Sequence, residues 1–276
     1  MRFSLNISIL FTELPLLERF DAAAAAGFRA IEMWWPSGED VDAVRAAAAG
    51  CGCELVLLNF DAGDMPAGDR GLLSDLERHE AFRDNVPVAL ELARELGCRR
   101  LNALMGTERP GQSREEQLAL AVENVRWTAD LAARQEAEIM IEPVNRIENG
   151  PYLLGTTAEA VRFIDEVARP NVMLQYDAYH SQRSEGNLTA TLREHIGRIA
   201  HVQIADSPNR HEPGTGEINF RFVLWALRDL GYDGYVGLEY KPRASTEASL
   251  RWLAPELRGA EIDPDAIFGG AVEALS

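Results

Sequence analysis

The chain is short of cysteine, of basic residues and of long apolar stretches. Its 276 residues include only three cysteines, an odd number that gives no disulfide framework, so we expect a protein of the reducing cytoplasm. Asp and Glu number 44 against 27 Lys and Arg, a formal net charge of −17 that argues against a nucleic-acid partner. No apolar run reaches the roughly 18 residues of a membrane span. Polar residues interrupt the N-terminal segment, so no signal peptide is expected.

Short apolar runs alternate regularly with helix-like stretches along the chain. With 46% apolar and 26% charged residues, the composition is that of a globular protein with a sizeable core. The predicted strands are Phe3–Ser8, Ala30–Trp35, Glu54–Asn59, Arg100–Leu104, Glu138–Glu142, Val172–Asp177, Ala200–Ile204 and Tyr235–Glu239. The predicted helices are Pro15–Ala26, Val41–Ala49, Glu80–Leu96, Arg114–Gln135, Thr157–Val167, Leu188–Ile196, Phe220–Leu230 and Glu247–Leu253.

Eight successive strand-helix units predict a single α/β domain, a closed (β/α)8 TIM barrel. Glycine follows several helices in "AAGF", "ELGC" and "DLGY", and Thr156 or Thr157 is placed to cap the helix after it. A doubly wound open sheet is the alternative, but the first strand is not followed by the glycine-rich turn of that fold. We expect the barrel to span residues 1–257, and residues 258–276 to form a C-terminal extension, as a short helix or an oligomer contact.

Two long connections leave the carboxyl ends of strands, where the active sites of barrels lie. The longer one covers residues 60–79, and its length predicts a lid or a binding loop. It contains glycines that favour hinging and Arg70, a candidate for contact with an anion. Trp34 and Trp35 end the second strand, and we expect them mainly to pack the top of the barrel, with a place in the pocket wall as the alternative.

The last four strands each end in a side chain with an oxygen donor. These residues are Glu142, Asp177, Gln203 and Glu239. They belong to one rim of a barrel, where a group of carboxylates is costly unless a cation neutralises it. Oxygen ligands favour Mg²⁺ or Mn²⁺ over Zn²⁺. The alternative is a set of unrelated strand-end carboxylates, each solvated or salt-bridged, which is less expected on four adjacent strands.

Several long segments resemble the hydroxypyruvate isomerase family. They include "IEPVNR", "QYDAYHSQRSEGNLT", "HVQIADSPNRHEPGTGEIN", "GLEYKPRASTEASLRW" and, nearer the start, "RFSLNISILFTELPLLERFDAAAAAGF" and "AGDMPAGDRG". The likeness covers about residues 2–253, almost the whole chain. That family belongs to the xylose isomerase-like TIM barrels, beside the ketose 3-epimerases and a 2-oxo-tetronate isomerase.

The resemblance implies a divalent metal held by Glu142, Asp177, Gln203 and Glu239, with the two glutamates as the acid/base pair. A histidine commonly stands at the Gln203 position in ketose epimerases, and glutamine there matches the hydroxypyruvate isomerase branch.

The resemblance also implies substrate contacts by His180, Arg210 and Glu148. Arg210 has the planar fork that suits a carboxylate, although it is also compatible with an ordinary surface loop. His180 is alternatively a barrel-mouth histidine without a substrate role, and Lys241 is expected to form a structural ion pair near the rim. The other four histidines are interpreted as structural or surface residues.

The leading hypothesis is an isomerase that interconverts hydroxypyruvate and tartronate semialdehyde through an enediolate. The main alternative keeps the chemistry and changes the substrate, to a 2-oxo-tetronate or a ketose. A DNA-repair endonuclease on the same barrel would need many histidine ligands and a basic surface, which the charge of −17 opposes. A non-catalytic binding protein would not need both Glu142 and Glu239. The expected partners are a small oxo-hydroxy acid or sugar and, in a homo-oligomer, other copies of the chain.

Overall fold

The predicted alternation of strands and helices closes into a barrel. The computed structural model describes residues 1–268. Within them, eight parallel strands are hydrogen-bonded in sequence order, and β8 returns to pair with β1. The strands are β1 Arg2–Asn6, β2 Ala30–Met33, β3 Glu54–Asn59, β4 Arg100–Asn102, β5 Glu138–Ile141, β6 Val172–Asp177, β7 Ile199–Ile204 and β8 Tyr235–Leu238. The predicted (β/α)8 fold class is therefore confirmed.

Helices surround the barrel in the order that the sequence predicts. They are α1 Leu16–Ala25, α2 Val41–Gly50, α3 His79–Glu95, α4 Arg114–Ala132, α5 Arg146–Asn149, α6 Thr157–Val167, α7 Ala178–Ser184, α8 Leu188–His195, α9 Phe220–Asp229, α10 Thr246–Ser249 and α11 Asp265–Phe268. Thr156 caps α6 with a complete capping box. Gly97 and Gly231 follow helices with positive φ angles of 71° and 73°, as glycines after helices commonly do.

The short helices α5 and α7 were not predicted. Each begins at a side chain that accepts hydrogen bonds from backbone N–H groups: Asn145 from Glu148 for α5, and Asp177 from Tyr179 and His180 for α7. Helices this short have too few turns to show a 3.6-residue apolar period, so they leave no periodic signal in the sequence. The predicted last helix is also shorter, because α10 gives way to a 3-10 turn at Leu250–Trp252.

A buried polar layer crosses the interior of the barrel. Glu32 on β2 and His201 on β7 are both fully buried, and Glu32 Oε1 lies 2.8 Å from His201 Nε2. Ser4 donates to the same carboxylate oxygen, and Gln203 Nε2 donates to the other at 2.7 Å. Burial raises the pKa of Glu32, but His201 and the hydrogen bonds outweigh it and hold that pKa below its usual range. This layer links β1, β2 and β7 by polar contacts.

The expected C-terminal extension lies partly outside the described residues, which end at 268. Within residues 258–268 the chain forms α11, and the N–H of Ile262 donates to the carbonyl of Met1 at 2.9 Å. No helix within residues 1–268 combines the length and the apolarity needed to cross a bilayer. All three cysteines are free thiols.

We predict that Gly237→Ala destabilises the fold. A Cβ at this position on β8 would lie 2.0 Å from Glu32 Oε1, so the buried carboxylate would have to move. Overpacking of this kind costs about 1–3 kcal/mol, to be measured as the free energy of unfolding in urea. Gly50→Ala is the matched control, because its Cβ would meet no atom within 4 Å. Equal stabilities of the two variants would contradict the prediction.

Candidate active site

The site occupies a cavity of about 370 Å³ at the carboxyl end of the barrel. The charged side chains that line it are Arg70, Glu142, Glu148, Arg210, Glu239 and Lys241, with His180 beside them. Asp177 is the last residue of β6, and it pairs in the sheet with Gln203, the penultimate residue of β7. The structure thus gathers all the sequence-predicted site residues at one end of the barrel.

Glu142 and Glu239 directly follow β5 and β8, and both are 4% exposed. Glu142 Oε2 accepts one hydrogen bond, from Asn102 Nδ2 at 2.7 Å. Glu239 Oε1 accepts two, from Asn6 Nδ2 at 2.9 Å and Trp34 Nε1 at 2.8 Å. The two carboxylates therefore enter the same cavity from different strands and with unequal support.

Arg210 neutralises part of the negative charge at this end of the barrel. Its guanidinium donates to Glu239 Oε2, and its Nη2 lies 3.7 Å from Asp177 Oδ2. It stacks over Tyr179 at 5.5 Å from the ring centroid. The backbone of Arg210 has a φ of 57°, and its carbonyl accepts a hydrogen bond from the N–H of Lys241. The expected carboxylate-binding arginine is thus already ion-paired within the protein.

The buried carboxyl groups hold their protons more tightly than usual. Burial raises the pKa of Glu142 well above its ordinary value, and the neighbouring Glu239 and Asp177 raise it further. Burial also raises the pKa of Glu239, against the opposing charge of Arg210. The pKa of Asp177 rises to about 7, again through burial and against Arg210. One arginine is therefore insufficient to keep all three groups ionised at neutral pH.

The residues present fit a divalent cation. Glu142, Asp177 and His180 offer ligand atoms that all lie within 4.8 Å of one another. Asp177 Oδ2 is buried and has no hydrogen-bond partner among the described residues. Gln203 Oε1 accepts from Gln175 Nε2 at 2.7 Å and keeps a second lone pair. A bound cation would satisfy the orphan oxygen and relieve the repulsion between the carboxylates.

His180, in the first turn of α7, is held in one tautomer by Asn145. Asn145 Oδ1 accepts from the N–H of Glu148, so its amide nitrogen faces His180 and lies 2.7 Å from Nδ1. Nδ1 is then the acceptor, and the proton of a neutral ring is on Nε2. Burial, followed by the charge of Arg210, holds the pKa of His180 well below its usual value. The Nε2 atom faces Asp177 Oδ2 at 3.7 Å and Glu142 Oε1 at 3.9 Å.

The outer wall of the cavity carries further charged groups. Glu148 on α5 accepts a hydrogen bond from the hydroxyl of Tyr179. Lys241 is exposed at the mouth, and the expected ion pair is not among the contacts of the described residues. Arg70 reaches the cavity from the loop after β3, where its Nε donates to Asn149 Oδ1 at 2.8 Å. The mouth is thus lined by charges of both signs.

Several residues that support the site are not predicted from the sequence. Trp34 was expected mainly to pack the barrel top, but it lines the cavity and donates to Glu239. Asn6 and Asn102 are the last residues of β1 and β4. Because the carboxyl ends of barrel strands meet at one rim, these positions alone indicate that both asparagines lie near the site. Asn145 lies in the "IEPVNR" segment, where no local pattern shows that it contacts His180, 35 residues away.

Comparisons with known proteins agree with this architecture. Residues 20–256 match the family model described as xylose isomerase-like TIM barrel. The hydroxypyruvate isomerase of Escherichia coli strain K12 is 42% identical over 92% of this chain and 99% of its own. The 2-oxo-tetronate isomerase of Cupriavidus necator is 38% identical, over 93% of this chain and 98% of its own. A crystal structure from Brucella melitensis, named as an AP endonuclease of family 2, is 40% identical with a TM-score of 0.87 and covers 92% of this chain and 98% of its own.

We predict that the contribution of Asp177 to the stability of the metal-free protein falls as the pH rises from about 4 to 7. Folded Asp177 keeps its proton up to about pH 7, whereas an unfolded aspartate ionises near pH 3.9. At this group the folded state binds more protons in this window, so its contribution to stability falls with rising pH, by at most about 1.4 kcal/mol per pH unit. Urea unfolding of chelator-treated protein at pH 5, 6 and 7 measures this slope.

Asp177→Asn is the matched variant for this measurement. It keeps an oxygen for the α7 cap but removes the titrating group, so its stability should fall less steeply. The lowered pKa of His180 makes its own contribution to stability rise with pH below about pH 6.5. Both proteins contain His180, so this contribution cancels when the stability of the variant is subtracted from that of the parent. Added Mn²⁺ should stabilise the parent protein more at pH 7 than at pH 5, because protons compete for the ligands. Identical slopes for parent and variant would refute the prediction.

Proposed function

Because the chain belongs to the xylose isomerase-like TIM barrels and, among them, to the hydroxypyruvate isomerases, we propose that it interconverts hydroxypyruvate and tartronate semialdehyde. The observation that carries this proposal is the entry of two buried glutamates, from β5 and β8, into one cavity. The proposed reaction needs two such groups.

The reaction moves one proton between neighbouring carbons. Hydroxypyruvate loses a proton from C3 to give an enediolate, and C2 then gains a proton as C3 becomes the aldehyde. The hydroxyl proton passes from the C3 oxygen to the C2 oxygen, so the atoms balance. We assign the two carbon-proton transfers to Glu142 and Glu239, since one carboxylate accepts a proton while the other group returns one. His180 Nε2–H is suited to donate to a substrate oxygen, because Asn145 holds its other nitrogen as an acceptor.

The proposed activity depends on a divalent cation, Mg²⁺ or Mn²⁺, in keeping with an oxygen-rich donor set. The side chains that would hold it are those of Glu142, Asp177, Gln203 and Glu239. When bound, the cation supplies Lewis-acid stabilisation of negative charge on the substrate oxygens. Glu32 fixes the orientation of Gln203 by accepting a hydrogen bond from its amide nitrogen. The side-chain carbonyl oxygen of Gln203 is then the atom available to bind the cation.

The remaining cavity residues are assigned to positioning a catalytic glutamate or to substrate binding. Arg210 orients Glu239 and carries positive charge beside Asp177. Glu148, held by the Tyr179 hydroxyl, is suited to accept from a substrate hydroxyl. Arg70 and Lys241 line the mouth and provide positive charge for an acidic substrate.

A 2-oxo-tetronate is the second candidate substrate. The cavity of about 370 Å³ exceeds the needs of a three-carbon acid and has room for a four-carbon one. The similar Cupriavidus necator protein carries the name 2-oxo-tetronate isomerase. The proton transfer would be the same, so the same two glutamates would serve.

We predict isomerisation of hydroxypyruvate by the Mn²⁺- or Mg²⁺-loaded protein. The product is measured by proton NMR, alongside a four-carbon oxo-tetronate and an uncharged ketose as competing substrates. Chelation should abolish turnover, and added metal should restore it, because the buried carboxylates need a cation. Higher kcat/KM for the oxo-tetronate would transfer the assignment to the second candidate. Absence of turnover with both acids would overturn the proposal.

We predict that Glu142→Gln and Glu239→Gln each lower kcat by about 100- to 10,000-fold, the usual contribution of a general acid or base. The amide keeps the shape of the side chain but cannot exchange the proton. Initial rates with saturating metal give kcat, and circular dichroism checks the fold. Glu136→Gln is the matched control, because Glu136 is exposed and precedes β5 at the opposite end of the barrel. Near-parental rates in both active-site variants would exclude the mechanism.

A further inference from the structure

Arg70 is a cavity-lining cation whose charge the described part of the protein does not neutralise. Its Nε donates to Asn149 Oδ1, and its Nη1 donates to the carbonyls of Met65 and Asp69 at 3.0 and 2.7 Å. All three acceptors are uncharged oxygens. Nη2 donates to none of the residues in the range 1–268, and none of their carboxylates forms an ion pair with Arg70. The guanidinium therefore has both a free donor and a free charge.

The other two cations of the cavity differ in this respect. Arg210 is partly buried, with 15% of its side chain exposed, and it is ion-paired with Glu239, with Asp177 close by. Binding a substrate carboxylate through Arg210 would weaken the pair that neutralises a catalytic glutamate. Lys241 is exposed on the rim, and no hydrogen bond or ion pair with residues 1–268 holds its ammonium in place. Arg70 alone among these three combines a fixed guanidinium with an unused charge.

Ion pairs on both sides of Arg70 hold its loop together and attach it to the connection after β4. Asp69 accepts from Arg78 and Arg109, each at 2.7 Å. Asp75 pairs with the same two arginines, at 2.9 and 3.2 Å. Such a network orders the loop before a ligand arrives, which lowers the entropic cost of binding. The loop of residues 60–79 was expected to be a lid or a binding loop, and these contacts favour a preformed binding loop.

Close backbone packing fixes the loop at the next residue. A Cβ at Gly71 would lie 2.1 Å from the carbonyl oxygen of Leu104, and φ at Gly71 is 124°. Only glycine permits this approach of the loop to the end of β4. Leu104 itself lines the cavity beside Arg70. The position of the guanidinium is thus set by the backbone as well as by the ion pairs.

We propose that Arg70 binds the carboxylate of the substrate and thereby selects oxo-hydroxy acids over uncharged sugars. This inference rests on the proposed isomerase function and identifies the group that recognises the acid. The free Nη2 group of Arg70 can donate a charge-assisted hydrogen bond to a carboxylate oxygen, which is roughly twice as strong as a bond between neutral groups. The cavity joins Arg70 to Glu142 and His180, so one small acid can be held at its carboxylate end and react at its other carbons.

The test compares hydroxypyruvate with dihydroxyacetone, in which a CH₂OH group replaces the carboxylate. Both are assayed with Mn²⁺ in the parent protein, Arg70→Gln and Arg70→Lys. We expect Arg70→Gln to lower kcat/KM for hydroxypyruvate by about 10- to 100-fold, mainly through KM, as for loss of a hydrogen bond to a charged group. Isomerisation of dihydroxyacetone should change less than about threefold, and Arg70→Lys should retain part of the preference for the acid.

Binding of glycerate, the unreactive reduced analogue, gives a readout that does not need turnover. Calorimetry should show the same about 10- to 100-fold loss of affinity in Arg70→Gln. Arg99→Gln is the matched control, since Arg99 is exposed just before β4 at the opposite end of the barrel. Lys241→Gln tests the competing assignment.

The outcomes separate the inference from the proposed function. Unchanged glycerate affinity and unchanged KM in Arg70→Gln would overturn the role of Arg70. A larger loss in Lys241→Gln, or an equal loss with dihydroxyacetone, would overturn it as well. If the parent protein fails to isomerise hydroxypyruvate, the proposed reaction fails, whereas glycerate binding still decides whether Arg70 holds a carboxylate.

Discussion

Three carboxyl groups buried at one end of a barrel impose the constraint on which the rest of this structure depends. Glu142, Asp177 and Glu239 repel one another, and burial favours their neutral forms. Hydrogen-bond donors from four other elements stabilise the two glutamates. They are the asparagines at the ends of β1 and β4, the indole N–H just after β2 and an arginine from the loop after β7. These donors offset only part of the negative charge. The carboxylates are therefore left able to bind a cation.

The layer beneath the site has a complementary role. Glu32 is fully buried and accepts from Ser4 and Gln203, so it connects strands that are distant in sequence. Its place depends on Gly237, which leaves room on β8 for the carboxylate. The same carboxylate orients the glutamine that lies beside Asp177 in the sheet. On β7, the buried layer at His201 and the site residue Gln203 are two positions apart. Gly237 on β8 and Glu239 just after it have the same spacing.

The sequence predicts the barrel and its rim well for a physical reason. Parallel strands bring their carboxyl ends to one side, so strand-terminal residues such as Glu142 and Glu239 can be grouped without knowledge of distances. Contacts between loops are not accessible in this way. The pair of Arg210 with Glu239 spans 29 residues and arises from a left-handed backbone turn. The loop of Arg70 is set by ion pairs with Arg109, 40 positions from Asp69, which no local pattern reveals.

The exposed position of Lys241 at the cavity mouth has a practical consequence. It is the only lysine in the chain. The other primary amine, that of Met1, is partly buried and donates to the carbonyl of Ile262 at 2.9 Å. Lysine-directed chemistry therefore has one target among these 276 residues, and that target borders the cavity. A fluorophore attached there would sit at the entrance of the site and report optically on its occupancy, without an engineered cysteine.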